Sequence, residues 1–150
     1  MRDTSPVVED VMSSPPIVVR TYDSLWRAMD RFLATGLRHL VVLDEADVVI
    51  GILEDRAVVS QWAKDPLGLH RRTVGAIMHA GRQRAVAVTR GTPLYEAARL
   101  MLERRVDALP VVGSDGHVIG VLTGSDMVRA MVGAQPGTVP VSGASGGEGR

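Results

Sequence analysis

The sequence predicts an α/β fold: one β-α-β-β-α unit used twice, the two pseudo-symmetric copies packed through their sheets. Three observations lead there. First, residues 25–59 overlay residues 94–128 without a gap at an offset of 69. Ten of these 35 positions are identical: Leu25/Leu94, Ala28/Ala97, Leu33/Leu102, Leu40/Leu109, Val42/Val111, Val49/Val118, Ile50/Ile119, Gly51/Gly120, Leu53/Leu122 and Val59/Val128. A repeat of this length marks one supersecondary unit used again, with ligand space at the seam between copies. Second, both copies pass through the same succession of hydrophobic periods. Third, 45% of residues are hydrophobic but only 3% aromatic, which predicts an aliphatic core. One unit of about 55 residues is marginal alone, so two must share a core.

Each half opens with a short lead-in ending in Met, residues 7–12 and 74–78. A short apolar strand follows, 17–19 and then 85–88. The next helix carries its apolar stripe on Leu25, Ala28, Met29, Phe32 and Leu33, repeated as Leu94, Ala97, Ala98, Met101 and Leu102. That i, i+3, i+4, i+7, i+8 spacing is one helical face. Asp23 is the expected N-cap of the first helix. Thr92 is that of the second, with Pro93 at the first helical position, where a missing N–H costs nothing. Gly36 is the expected stop of the first helix.

Two β-branched strands come next in each half, 40–43 with 48–53 and 109–112 with 118–122. Asp115-Gly116 is a strong hairpin signal. A final helix closes each half near 56–63 and 125–132. The expected organisation is a first repeat at 7–63, a connector at 64–72, a second repeat at 73–132 and a Gly-rich tail at 133–150. The tail holds six glycines and two prolines without a packed pattern, and reads as disordered.

Composition excludes several function classes. Net charge is zero and stacking aromatics are scarce, which argues against nucleic acid despite the basic cluster Arg82-Gln83-Arg84 with Arg71-Arg72. There is no cysteine, hence no disulfide, thiolate metal site or cysteine nucleophile; a reducing cytoplasm fits. No signal core stands at the N-terminus, and no apolar run approaches the ~18 residues of a membrane span. His70, His79 and His117 lack metal-ligand spacing, so no metal is expected. No nucleophile or oriented acid–base pair is visible, so the protein is read as a non-enzyme.

The second copy ends its third strand with Gly120-Val121-Leu122-Thr123-Gly124-Ser125-Asp126, and its second strand reads Ala108-Leu109-Pro110-Val111-Val112. In this duplicated frame, the chain resembles a stand-alone pair of CBS domains, a Bateman module, over about residues 7–132. The resemblance implies an adenosine-containing ligand between the repeats: AMP, ADP, ATP, S-adenosylmethionine or a dinucleotide. Asp126 falls at a strand-to-helix junction, where a carboxylate can accept hydrogen bonds from both ribose hydroxyls. Thr123 and Ser125 add hydroxyls, and the helix start suits a phosphate. The resemblance places the adenine in an apolar slot involving Ser14, Pro16 and Ile17, flanked by Leu37, Arg38 and His39. Arg38 offers phosphate a permanent charge and His39 a conditional one. Phosphate number is expected to depend on where Arg38, Arg56 and Arg104 point.

Bland readings stand beside these. Asp126 with Ser125 equally reads as a helix cap, and capping and binding are compatible. Arg38 and His39 equally read as a solvated helix end. Gly51 and Gly120 are accounted for by close backbone packing. Trp26 and Trp62 fit either a dimer surface or partial burial.

The first copy departs from the signature: Glu54 stands at the Thr position and Ala57 at the Asp position. Ala57 cannot hold a ribose, and Glu54 puts a negative charge near a phosphate. One working cleft is therefore expected, with the other vestigial or repurposed. The functional expectation is a non-catalytic regulatory module with no required cofactor. It senses an adenosine nucleotide or S-adenosylmethionine and signals to an effector protein by conformational shift. The alternative is a homodimeric scaffold without ligand sensing. The resemblance makes homodimers the expected state under both.

Overall fold

Local sequence sets each element of the computed structural model, which describes residues 5–78 and 85–133. The expected disordered tail beyond residue 133, His79 and the cluster Arg82-Gln83-Arg84 lie outside these described residues.

The first half runs β1 (Val18–Arg20), α1 (Leu25–Thr35), β2 (His39–Leu43), β3 (Val49–Glu54) and α2 (Asp55–Lys64). A 3₁₀ turn at Pro66–His70 leads to the short α3 (Val74–Ile77). The second half repeats the order as β4 (Val88–Thr89), α4 (Leu94–Arg104), β5 (Ala108–Val112), β6 (Val118–Thr123) and α5 (Gly124–Met131). The expected strand at 85–88 is shorter and later, reaching only Val88–Thr89.

Two capping expectations are corrected. Ser24, not Asp23, caps α1, its Oγ accepting from Arg27 N at 3.1 Å. Asp23 lies one residue too early and instead accepts from Arg20 N at 2.8 Å, closing the turn after β1. Pro93 is itself the cap of α4, with ψ 137 outside the helical range, so the helix begins at Leu94. Thr92 accepts from Thr89 N and pins the preceding turn. Gly36 does end α1, in the left-handed region at φ 68. Its counterpart 69 positions on is Arg105, which takes the same conformation at φ 54 without glycine's freedom.

Each half forms a three-stranded sheet, ordered β1-β2-β3 and β4-β5-β6. The first pair in each is parallel and the second antiparallel. The register also duplicates: His39 faces Glu54 as Ala108 faces Thr123, and both sheets slip at equivalent places, Val42/Leu43 and Val111/Val112. The sheets meet through Val41, Leu43, Ala108 and Val121, all buried. Each half also has its own core under its helices, built on Leu25, Phe32, Leu40 and Leu53 and on Ala97, Met101, Leu109 and Leu122. A fully buried Leu contributes about 1.5–3 kcal/mol, so these aliphatic layers carry the fold.

The lead-ins cross over. Val8 and Val11, from the start of the chain, are buried in the core of the second half. Leu69 and Val74 are buried in the core of the first. Backbone bonds repeat the exchange: Leu94 N donates to Pro6 O at 3.0 Å, and Leu25 N to Arg72 O at 2.9 Å. The two glycines expected to serve close packing do so here. A Cβ on Gly120 would lie 2.8 Å from Met12 Sδ and 2.9 Å from the carbonyl oxygen of Ser13. A Cβ on Gly51 would lie 3.0 Å from Met78 Cε. Each lead-in Met thus rests on the other half's glycine.

Candidate functional site

A cavity of about 250 Å³ opens at the seam, between the end of β6 and the chain around β1 and β2. The second half supplies Val121, Thr123, Gly124, Ser125, Asp126 and Arg129. The first supplies Ser13, Pro15, Pro16, Ile17 and the stretch from Gly36 to His39; Asp107 closes the rim. Eight of the nine residues expected at the site therefore line one cavity. Ser14 does not. It is exposed, and Ser13 takes the place beside the cleft. In extended chain successive side chains point to opposite sides. The pairing of Ser13 with Val121, through bonds of 2.9 and 3.0 Å, decides which of the two serines faces inward.

Asp126 is the centre of the cavity wall. It is 1% exposed and is the sole buried charged residue among those described. Its Oδ2 accepts from Thr123 N at 2.9 Å and from Thr123 Oγ1 at 3.0 Å. Its Oδ1 accepts from Ser13 Oγ and from Arg129 Nη1, both at 2.8 Å. Asp126 N in turn donates to Thr123 Oγ1 at 3.2 Å, which completes a reciprocal capping box at the start of α5. Capping and cleft-lining thus coincide in one carboxylate. The cap partner is Thr123 and not Ser125, which is exposed at the rim.

The start of α5 offers less to an anion than its position in sequence suggests. Gly124 N donates to the carbonyl of Asp107 at 3.0 Å and Asp126 N to Thr123, which leaves the Ser125 N–H as the donor of this turn. Arg38 stands exposed at the rim. His39 is more enclosed, and its Nε2 lies 3.0 Å from Asp107 Oδ1, joining the two halves. Arg104 is exposed on α4 and lines none of the cavities described here; Arg56 lies at the other cleft.

That other cleft is the pseudo-symmetric counterpart. Glu54, Gly51, Ile52 and Met78 face Val106–Pro110 across about 260 Å³, beside a second hollow reaching Arg56, Ala57 and Ser60. Glu54 makes no cap bond to α2. Its carboxylate is paired with Arg56, whose guanidinium is held above its ordinary pKa first by that hydrogen bond and then by the Glu54 charge. Among the described residues, one group could hold a cation: His39, Glu54 and Asp107, whose donor atoms lie within 4.8 Å of one another. Arg56 already supplies positive charge there.

Sequence reasoning missed Ser13, Asp107 and Arg129. Arg129 was findable, since i, i+3 from Asp126 puts both on one face of α5. Asp107 was findable as the counterpart of Arg38. Ser13 carried no local signal.

The profile of the CBS domain matches residues 8–63 and again residues 74–133. The chain belongs to the CBS domain family. Two solved CBS structures overlay it closely. The CBS domain pair of protein MJ0100, in complex with 5′-methylthioadenosine and S-adenosyl-L-methionine, aligns with a TM-score of 0.73 at 23% identity over 86% of this chain and 98% of its own. CBSX2 in complex with AMP aligns with a TM-score of 0.69 at 28% identity over 85% and 96%. A CBS domain-containing protein of Dictyostelium discoideum is 28% identical over 84% of this chain and 91% of its own length. An L-aspartate semialdehyde sulfurtransferase of Methanocaldococcus jannaschii is 23% identical over 86% of this chain, which spans only 24% of that enzyme. The tandem CBS architecture is thus shown by profile and by fold together. Among the described residues no helix is long and apolar enough to cross a membrane.

Proposed function

We propose that this CBS pair is a non-catalytic sensor of an adenosine-containing ligand, bound at the cleft beneath Asp126. The carrying observation is the placement of that carboxylate. It ends an intact Gly-x-x-Thr-x-x-Asp signature, lies buried in the wall of a cavity between the repeats, and is replaced by Ala57 in the opposite cleft. The AMP complex of CBSX2, at 28% identity, supports the ligand class. The cavity volume of about 250 Å³ lies just below the ~300–1,000 Å³ usual for small-molecule sites. A mononucleotide suits it better than a dinucleotide.

The ligand acts by population shift. It touches both repeats, so it favours one relative arrangement and changes the surface shown to an effector. No catalytic step is needed, and the cleft carboxylate is already committed to four donors. The working form is a cytoplasmic homodimer. Two identical pairs support this, Leu33/Leu102 and Val59/Val128, which are exposed in both repeats at 75%/80% and 49%/61%. Matched apolar positions left bare in both halves suit a symmetric helical interface.

A melting series with AMP, ADP, ATP and S-adenosylmethionine tests the sensor. At 100-fold excess over Kd, a true ligand stabilises by about 2.7 kcal/mol. Asp126→Ala should abolish the shift, and Asp126→Asn, which keeps the shape, should weaken it. A flat series across all four compounds sinks the proposal. Sedimentation at tens of micromolar checks the dimer. The exposed helical faces also favour the scaffold reading, under which Asp126→Ala would leave effector binding intact and ligand-independent.

A further inference from the structure

We propose that Arg129 is a latch on Asp126, and that this latch makes the cleft select adenosine ligands bearing a 5′-phosphate over neutral or cationic ones. The inference rests on the adenosine reading given above. A carboxylate has about four acceptor positions. All four on Asp126 are taken, two on each oxygen. A ribose diol donates hydrogen bonds, so it reaches this carboxylate only by displacing a present donor. The two oxygens differ in what can leave. The Oδ2 donors are the N–H and hydroxyl of Thr123, both tied into the cap of α5. The Oδ1 donors are the side chains of Ser13 and Arg129. Arg129 is 43% exposed, against 0% for the carboxylate it holds, so it has solvent to swing into. The ribose-facing oxygen is therefore Oδ1, and Arg129 is the group that yields.

The displacement has a charge consequence. A guanidinium released from the one ion pair it makes among the described residues stands beside the cleft in need of a new anionic partner. A 5′-phosphate replaces the lost partner with a charge-assisted, bidentate one. Adenosine breaks the same ion pair and returns nothing. A sulfonium at the 5′ position adds a like charge. The counterpart of Arg129 in the first repeat is the neutral Ser60, so the device belongs to this cleft alone among the two. Arg38 also lines the cavity and can attract phosphate, but it does not bond Asp126. It therefore provides the control.

The test is calorimetric titration of AMP and adenosine into the full chain and into Arg129→Gln, Arg129→Lys, Ser13→Ala and Arg38→Gln. The wild type should prefer AMP. Arg129→Gln should tighten adenosine roughly ten-fold, the scale of one charged hydrogen bond, while weakening AMP, so that the preference collapses. Arg129→Lys should retain most of the preference. Ser13→Ala opens a position on Oδ1 while Arg129 stays in place, so it should tighten adenosine more than AMP. Arg38→Gln should weaken AMP without tightening adenosine. An unchanged AMP-to-adenosine ratio in Arg129→Gln, or weaker adenosine binding, overturns the latch while leaving the sensor standing. Absence of binding by either ligand to every form overturns the latch, and the sensor falls with it when the melting series is also flat across all four compounds.

Discussion

The two clefts of this molecule are the same backbone carrying different chemistry. Strand register, the slip in each sheet and the Met-on-glycine contact all duplicate between them. At one cleft Thr123 and Asp126 form a reciprocal cap, and the carboxylate is buried in a cavity wall. At the other, Glu54 caps nothing and turns to Arg56, and Ala57 has no polar group to offer. The difference teaches where duplication is constrained. Positions such as Leu40/Leu109 and Leu53/Leu122 stay identical because they fill closely packed cores. Rim positions such as Arg38/Asp107 and Glu54/Thr123 have diverged, because no closely packed core fixes their size and polarity.

The sharpest way to break the comparison is to restore the lost signature. The double change Glu54→Thr with Ala57→Asp removes the charge that opposes phosphate and installs the missing carboxylate. Ligand stoichiometry by equilibrium dialysis should double from a single site per chain. If it stays unchanged, the divergence of the clefts lies elsewhere, for instance in the segment near the second lead-in.

A smaller effect separates the two glycines. Gly120→Ala meets the backbone carbonyl of Ser13 at 2.9 Å as well as Met12, and backbone cannot step aside cheaply. It should cost about 1–3 kcal/mol in urea denaturation, the usual scale of overpacking. Gly51→Ala meets only the flexible end of Met78 at 3.0 Å and should cost less than half as much. Equal costs would show that the crossed lead-ins do not bear on β3 and β6 in the way described.

The smallest effect concerns the helix ends. Arg105 sits at φ 54 where its counterpart is Gly36. Arg105→Gly should stabilise by about 0.5–1 kcal/mol, by removing left-handed strain partly offset by glycine's entropy. A rise of a few degrees in Tm by calorimetry would show it; a fall would mean that the arginine side chain contributes more than its backbone costs.

Much of this was legible in the chain. The hydrophobic period of each helix and strand is a local property, so element type and order could be read to within a few residues. The caps show the limit of that reading. Asp23 and Thr92 are good cap residues, but each holds the turn before the helix, because where the first helical residue falls depends on how the preceding strand arrives. Within the cleft, Asp126 and Thr123 were readable because signature and cap share one short stretch. Ser13 was not, because its contact with Asp126 spans 113 positions and depends on the crossing of the lead-ins.

By itself, the sequence determined the duplicated unit, the aliphatic core and the asymmetry between an intact and an altered signature. Each of these is written in residue types at short spacing. Only the tertiary structure decided that each lead-in completes the other half, that Ser13 rather than Ser14 faces the cleft, and that Arg129 with Ser13 fills the free oxygen of Asp126. Those facts come from long-range packing, where burying apolar lead-in residues against the opposite sheet sets the register that no local pattern records.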